Sequence, residues 1–187
     1  IRLLKKAGCN LLIFGVQSAS EKVRRELLGR PETNDQIRKA AQICKNEGLK
    51  FTIDHILNLP YEKTDDLVEA VDFYNEIRPT IINAFLLTYY PQAEITTTAY
   101  KAKLLTKKDL QAIQEGKSPG TYSLSLGEHR GTISLKGRQN HHQFIFWLNA
   151  LPLLPSFLVK KIIKKGYLRH NFTAPIWLIT LIKFLLR

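Results

Sequence analysis

The sequence predicts an α/β fold built on a parallel sheet, and three observations carry that prediction. Short β-branched or apolar runs begin near residues 11, 50 and 81, amphipathic stretches of helical length separate them, and capping side chains, glycines and prolines fall at the boundaries. The separations leave room for right-handed crossovers through a helix, as parallel strands require.

The elements follow in order. Ile1-Arg2-Leu3-Leu4-Lys5-Lys6-Ala7-Gly8 has the form of the last turns of a helix closed by a glycine. Leu11 to Val16 is a continuous apolar run bounded by Gly8 and by Gln17-Ser18, which predicts a strand buried on both faces. A short helix is expected from Glu21 to Leu28. Thr33-Asn34-Asp35 caps a second one, running to Glu47 and stopped by Gly48. Ile37, Ala40, Ala41 and Cys44 share one face of it, so Cys44 is most simply a small core residue rather than a redox group. Lys50 to Leu57 is strand-like and Pro60 ends it. Thr64-Asp65-Asp66 opens a helix with negative charge in its first turn; Leu67, Ala70, Val71, Tyr74 and Ile77 form its buried stripe, and it ends before Pro79. Ile81 to Leu87 is the third strand. Three parallel strands alone leave long apolar edges, so further strands are expected before residue 1, in a longer protein.

Beyond Thr106 the pattern weakens. Tyr122 to Leu126 and Thr132 to Leu135 alternate enough for two short strands, with Gly127 and Gly131 as punctuation between them. From His141 the chain becomes helical and apolar, interrupted by Pro152 and Pro155. The expected division is an α/β part over residues 1–115 and an extension over 116–187, a hairpin followed by basic amphipathic helices.

Composition narrows the chemistry. A hydrophobic content of 44% excludes a disordered chain, and two cysteines, Cys9 and Cys44, exclude a disulfide framework and any four-thiolate site made by this chain alone. The net charge of +12 is uneven: residues 129–187 hold 10 Lys and Arg and no acid. Such an excess points to nucleic acid, an anionic lipid surface or an acidic partner.

Polar residues at the carboxyl ends of parallel strands are the first candidates for ligand binding, because side chains converge there. Gln17 and Ser18 end the first strand, where they serve either a polar ligand or the backbone of the turn. Asp54 and His55 interrupt an apolar strand, so one of them should face a polar cavity; a histidine alone is more often a satisfied core residue. Arg30, just before Pro31, is placed to act as a carboxylate clamp, or is merely solvated.

Taken together, Phe14-Gly15-Val16-Gln17-Ser18, Leu27-Leu28-Gly29-Arg30 and Ile53-Asp54-His55-Ile56-Leu57-Asn58-Leu59-Pro60 resemble the radical S-adenosylmethionine (radical SAM) enzymes. The likeness covers about residues 1 to 100 and corresponds to the second half of that family's partial (β/α)6 barrel, with Tyr89-Tyr90-Pro91 closing the last strand. It implies an enzyme that cleaves SAM reductively at a 4Fe–4S cluster held by a CxxxCxxC motif and uses the 5'-deoxyadenosyl radical. This chain has no such motif, so the resemblance puts the cluster ligands outside it and implies that the chain alone is inactive. It also implies SAM contacts for Gln17, Arg30 and Asp54, with Ser18 beside them: Arg30 for the methionyl carboxylate, Asp54 or Gln17 for ribose hydroxyls. One departure stands out. Where the family has Gly-Leu-Pro-Gly-Glu-Thr, this chain has Asn58-Leu59-Pro60-Tyr61-Glu62-Lys63-Thr64, which predicts a turn of different shape. The wording Gly15-Val16-Gln17-Ser18-Ala19-Ser20 and the basic apolar tail most resemble the cobalamin-binding subclass. Its members methylate or rearrange apolar metabolites, lipids and tetrapyrroles, and the cobalamin domain would lie outside this chain.

In the tail, Leu151 to Leu168 interleaves Phe157, Leu158, Ile162 and Ile163 with Lys160, Lys161, Lys164 and Lys165, a basic amphipathic helix. Ala174 to Arg187 is apolar but shorter than the roughly 20 residues a membrane span needs. Residues 151–187 therefore either lie on a membrane surface or pack over the barrel; no base-reading motif accompanies the charge, which disfavours nucleic acid. His141-His142 is a poor metal pair, because adjacent helical side chains diverge by about 100°. The expected protein is cytoplasmic, peripheral on the inner face of the membrane if the tail is an anchor. The competing function is a membrane-peripheral binding module whose α/β domain is not catalytic.

Overall fold

The computed structural model describes residues 1–117, 121–123, 127–129 and 142–170, together with positions 178, 181 and 184. Helix α1 (Arg2–Lys6) passes through Gly8, at φ +91°, into strand β1 (Leu11–Gln17). Helix α2 (Glu21–Leu28) is capped by the Ser20 hydroxyl and ended by a left-handed Gly29. The capping box of Thr33 and Gln36 starts α3 (Asn34–Asn46), which leads to β2 (Lys50–Leu57). Helix α4 (Thr64–Ile77) stops at Arg78, before Pro79, and β3 (Ile81–Leu86) follows.

β1, β2 and β3 form one parallel sheet in that order, with Leu12 opposite Phe51, Thr52 opposite Ile81 and Asp54 opposite Asn83. The main core lies on one face of it. Leu12, Phe14, Val16, Phe51, Ile53, Leu57, Ile82 and Ala84 meet Ile37, Ala41 and Cys44 of α3 and Leu67, Ala70, Val71 and Tyr74 of α4. Cys44 is fully buried there, as a small core side chain.

Burial of β1 on both faces does not occur. Leu12, Phe14 and Val16 pack inward, but Leu11 is 44% and Ile13 63% exposed. β1 is an edge strand, and the helices that bury the sheet gather on the other face; a continuous apolar run does not by itself supply a second layer.

Two helices after β3 lie where the sequence carries little signal: α5 (Glu94–Lys101) and α6 (Lys107–Gln114), the latter opened by a capping box between Thr106 and Asp109. With Tyr89 they enclose a second small core of Ala99, Leu105 and Ile113. The hairpin consists of β4 (Thr121–Ser123) and β5 (Gly127–His129), antiparallel, with β4 alongside β3. Gly127 is thus a strand residue rather than punctuation, because the nearer segment closes on β4 at lower entropic cost than the expected one. The expected strand over 132–135 lies outside the described residues.

The extension shares the core of the α/β part. Phe144, Ile145 and Leu148 of α7 (His142–Ala150) are buried against β3 in the main cluster, and each such burial contributes roughly 1.5–3 kcal/mol. A 3-10 turn at Leu151–Leu153 then redirects the chain into α8 (Ser156–Lys164). α8 packs on α4 through Val159, Ile162 and Ile163 and turns Lys160, Lys161, Lys164 and Lys165 outward. Arg78, at φ +48°, ties this region to α4 by donating to the carbonyls of Leu151, Pro152 and Leu154 at 3.4, 3.2 and 2.9 Å. The side chains of the His141-His142 pair and nearly all of 174–187 lie outside the described residues. Among the described residues no helix is long and apolar enough to cross a membrane.

Candidate functional site

The pairing of β1 with β2 slips between Phe14 and Gln17, and the slip ends in a tight turn: the Ser18 N–H donates to the Val16 carbonyl at 2.8 Å across Gln17, whose φ is +66°. This is a γ-turn with positive φ at a non-glycine residue, the rare and strained variety. It carries the Gln17 side chain back over Gly15. A Cβ built on Gly15 would stand 2.9 Å from Gln17 Nε2 and 3.9 Å from both terminal nitrogens of Arg30. A side chain at Gly15 would displace the Gln17 amide from this position. Arg30, following the left-handed Gly29, reaches back across α2 so that Nη1 donates to the Gly15 carbonyl at 2.7 Å. The structure thus brings Gln17 and Arg30 together around one glycine, both of them half-buried.

Asp54 and His55 separate by strand alternation. Asp54, half-buried, belongs to the same sheet face as Ile13, Thr52, Ile56, Ile81, Asn83 and Phe85, opposite the helices. There the Asn83 amide donates to Asp54 Oδ1 at 2.9 Å. His55 points into the core, where Nδ1 pairs with the Tyr74 hydroxyl at 2.8 Å and Nε2 has no partner among the described residues. Burial holds the imidazole down at about 3, so it is neutral, and burial likewise raises the Tyr74 phenol. Asp54 is the polar-facing member of the pair.

Ser18 serves the turn. It is buried, and its Oγ accepts from the Ser20 N–H at 3.3 Å. Behind it lies a residue that sequence reasoning missed. Arg24, 1% exposed, donates to the Ser18 carbonyl at 2.6 Å, to the Glu32 carbonyl at 3.1 and 2.9 Å, and to Asn34 Oδ1 at 2.8 Å. Asn34 in turn donates to the Ala19 carbonyl. One buried guanidinium therefore fixes the loop after β1 against the loop that bears Arg30. An arginine on a charged helix carries no sequence signal for this.

The turn after β2 keeps a glycine-type backbone without glycines. Asn58 and Tyr61 hold φ of +64° and +65°, so the expected change of shape is not found at these two positions. Asparagine adopts that region readily; tyrosine does so at a cost of about 1–2 kcal/mol. The turn is held by Glu62, buried at the start of the loop into α4, whose Oε2 accepts the N–H groups of Asn58 and Leu59 at 3.0 and 3.4 Å. Desolvation pushes its carboxyl up to about 8, against the two backbone N–H groups, which favour the ionised form; Asp66 adds a smaller push upward. Tyr89, buried beside it, donates to the Asn58 carbonyl at 3.5 Å. Burial first, then Glu62, raises its phenol to about 12.

The residues fit two candidate groups differently. A carboxylate-bearing nucleoside ligand needs a guanidinium, an amide and a carboxylate near a backbone that it can approach, and Arg30 and Gln17 around Gly15, with Asp54 on the neighbouring strand, have that chemistry. A 4Fe–4S cluster takes four ligands, mostly thiolates. The chain has two cysteines, and Cys44 is fully buried with its thiol pushed up by desolvation. Among the described residues no three His, Cys, Asp or Glu side chains group to hold a metal. The chain's own residues do not fit the cluster. A surface depression of about 360 Å³ lined by Ile1, Arg2, Leu3 and Ile43 carries no group suited to chemistry.

Residues 1–74 match the family model described as "Radical SAM superfamily". The match ends inside α4, so β3 and the Tyr89-Tyr90-Pro91 segment lie beyond it. No curated protein is matched.

Proposed function

We propose, on the match of residues 1–74 to the radical SAM superfamily, that the chain contributes the SAM-holding side of a radical SAM active site. The observation that supports this best is the meeting of Gln17 and Arg30 over Gly15, on the strand next to the one bearing Asp54. In this reading the Arg30 guanidinium takes the methionyl carboxylate, Asp54 accepts from the ribose hydroxyls, Gln17 adds an amide donor or acceptor, and Ser18 shapes the turn that aims Gln17. Bound beside a reduced 4Fe–4S cluster, SAM supplies radical hydrogen-atom abstraction. With two cysteines the chain cannot ligate that cluster unaided, so it does not cleave SAM alone.

The finer reading is a cytoplasmic, cobalamin-type enzyme acting on an apolar metabolite such as a lipid or tetrapyrrole. The Gly15-to-Ser20 wording and the basic tail support it. The outward lysines of α8, beside a Phe157 that is 74% exposed, favour contact with an anionic membrane surface.

Calorimetric titration of SAM into the 187-residue chain tests the central proposal. Arg30→Ala and Asp54→Ala should each lower affinity by about tenfold, the order of one lost charge-assisted hydrogen bond. No binding by the unaltered chain, or affinity left unchanged in both variants, overturns it.

A further inference from the structure

We propose that Asn83 is a positioning residue, orienting the Asp54 carboxylate toward its ligand; this rests on the SAM-holding role given above to Asp54. Asn83 sits in the middle of β3, its strand register opposite Asp54 and on the same sheet face, and its Nδ2 donates to Asp54 Oδ1 at 2.9 Å. The other β3 residues on that face are Ile81 and Phe85. Strand formation at this position favours a β-branched or aromatic side chain, and a half-buried amide among apolar neighbours is costly unless its hydrogen bonds are used. The terminal torsion of an aspartate is broad and roughly two-fold, so an unsupported carboxylate samples many orientations. One donor fixed by the sheet restricts that freedom by holding Oδ1 on the amide. Because the donor comes from the neighbouring strand rather than from a loop, the orientation is set before any ligand arrives.

A double-mutant cycle tests this, with SAM affinity of the 187-residue chain measured for the unaltered protein, Asp54→Ala, Asn83→Ala and the double variant. Asn83→Ala should weaken SAM by roughly five- to tenfold when Asp54 is present and change nothing when Asp54 is already alanine. A merely structural contribution of Asn83 would weaken binding in both backgrounds and would overturn the proposal. So would unchanged affinity in Asn83→Ala while Asp54→Ala binds poorly, an outcome that leaves the SAM reading standing. If Asp54→Ala itself binds normally, the SAM role of Asp54 fails first, and the positioning role with it. Circular dichroism reports whether Asn83→Ala folds; Asn83→Asp, of the same shape, carries the test if it does not. That variant should lose at least as much affinity, since it presents an acceptor to a carboxylate.

Discussion

Tyr61 shows how one residue can hold a conformation that its chemistry disfavours. Its φ of +65° places a Cβ against its own backbone, and with 63% of the residue exposed its ring returns little packing. The neighbouring Glu62, accepting two N–H groups from Asn58 and Leu59, holds the turn in spite of that strain. Tyr61→Gly should therefore stabilise the protein by about 1 kcal/mol or somewhat less, the relief being partly offset by glycine's freer unfolded chain. A rise in the urea midpoint at unchanged slope is the expected measurement; a fall would mean that the ring contributes packing. Gly15 is the converse case, a position where the missing Cβ is used by another side chain. It was legible as an oddity within an apolar run, yet nothing local to it announces that Gln17 and Arg30 meet there, since that meeting depends on a slip in strand register and on a helix folded back between them.

At the scale of the elements, the segment from β2 into α4 carries two buried ionisable groups with opposite pH signatures. The unfolded chain loses the Glu62 proton near 4.5, while the folded protein keeps it to about 8; the folded state binds the extra proton in between, so stability falls as pH rises across that interval. His55 works the other way. Unfolded, it takes a proton below about 6.5, whereas folded it stays neutral to about 3, so stability falls as pH drops through that range. The two slopes oppose one another between 4.5 and 6.5, giving a stability plateau there and losses on both sides. Chemical denaturation across pH 3 to 9 checks this, and Glu62→Gln should flatten the alkaline limb alone; a limb that persists in the variant assigns it to another group. Helix boundaries were well forecast because caps act locally: Thr33 and Gly48 stand where the signals put them. β5 was not foreseen because a three-residue strand has too little periodicity to be told from a loop, and α5 was missed because its eight residues hold three consecutive threonines, which favour a helix poorly.

For the molecule as a whole, the α/β class and the parallel order of the strands followed from spacing alone, whereas the docking of the extension did not. Phe144, Ile145 and Leu148 bury against β3 and α8 lies on α4 through Val159, Ile162 and Ile163, so most of the apolar side of α7 and α8 is already engaged by the protein. What remains outward on α8 is its lysines, with the single exposed ring of Phe157. Any attachment to anionic vesicles through α8 should accordingly be electrostatic, with co-sedimentation at low ionic strength that disappears by about 0.5 M salt, where screening is nearly complete within a few ångströms. Retention in high salt would instead require an inserting apolar surface. The outer flank of β1 has the opposite character. Its backbone ends the sheet with Leu11 and Ile13 in solvent, an unfinished seam whose hydrogen-bonding groups suit any extended peptide laid along it. The flank that would accept a neighbouring strand in a larger barrel is therefore also the place where concentrated copies of the isolated chain would be expected to stick to one another.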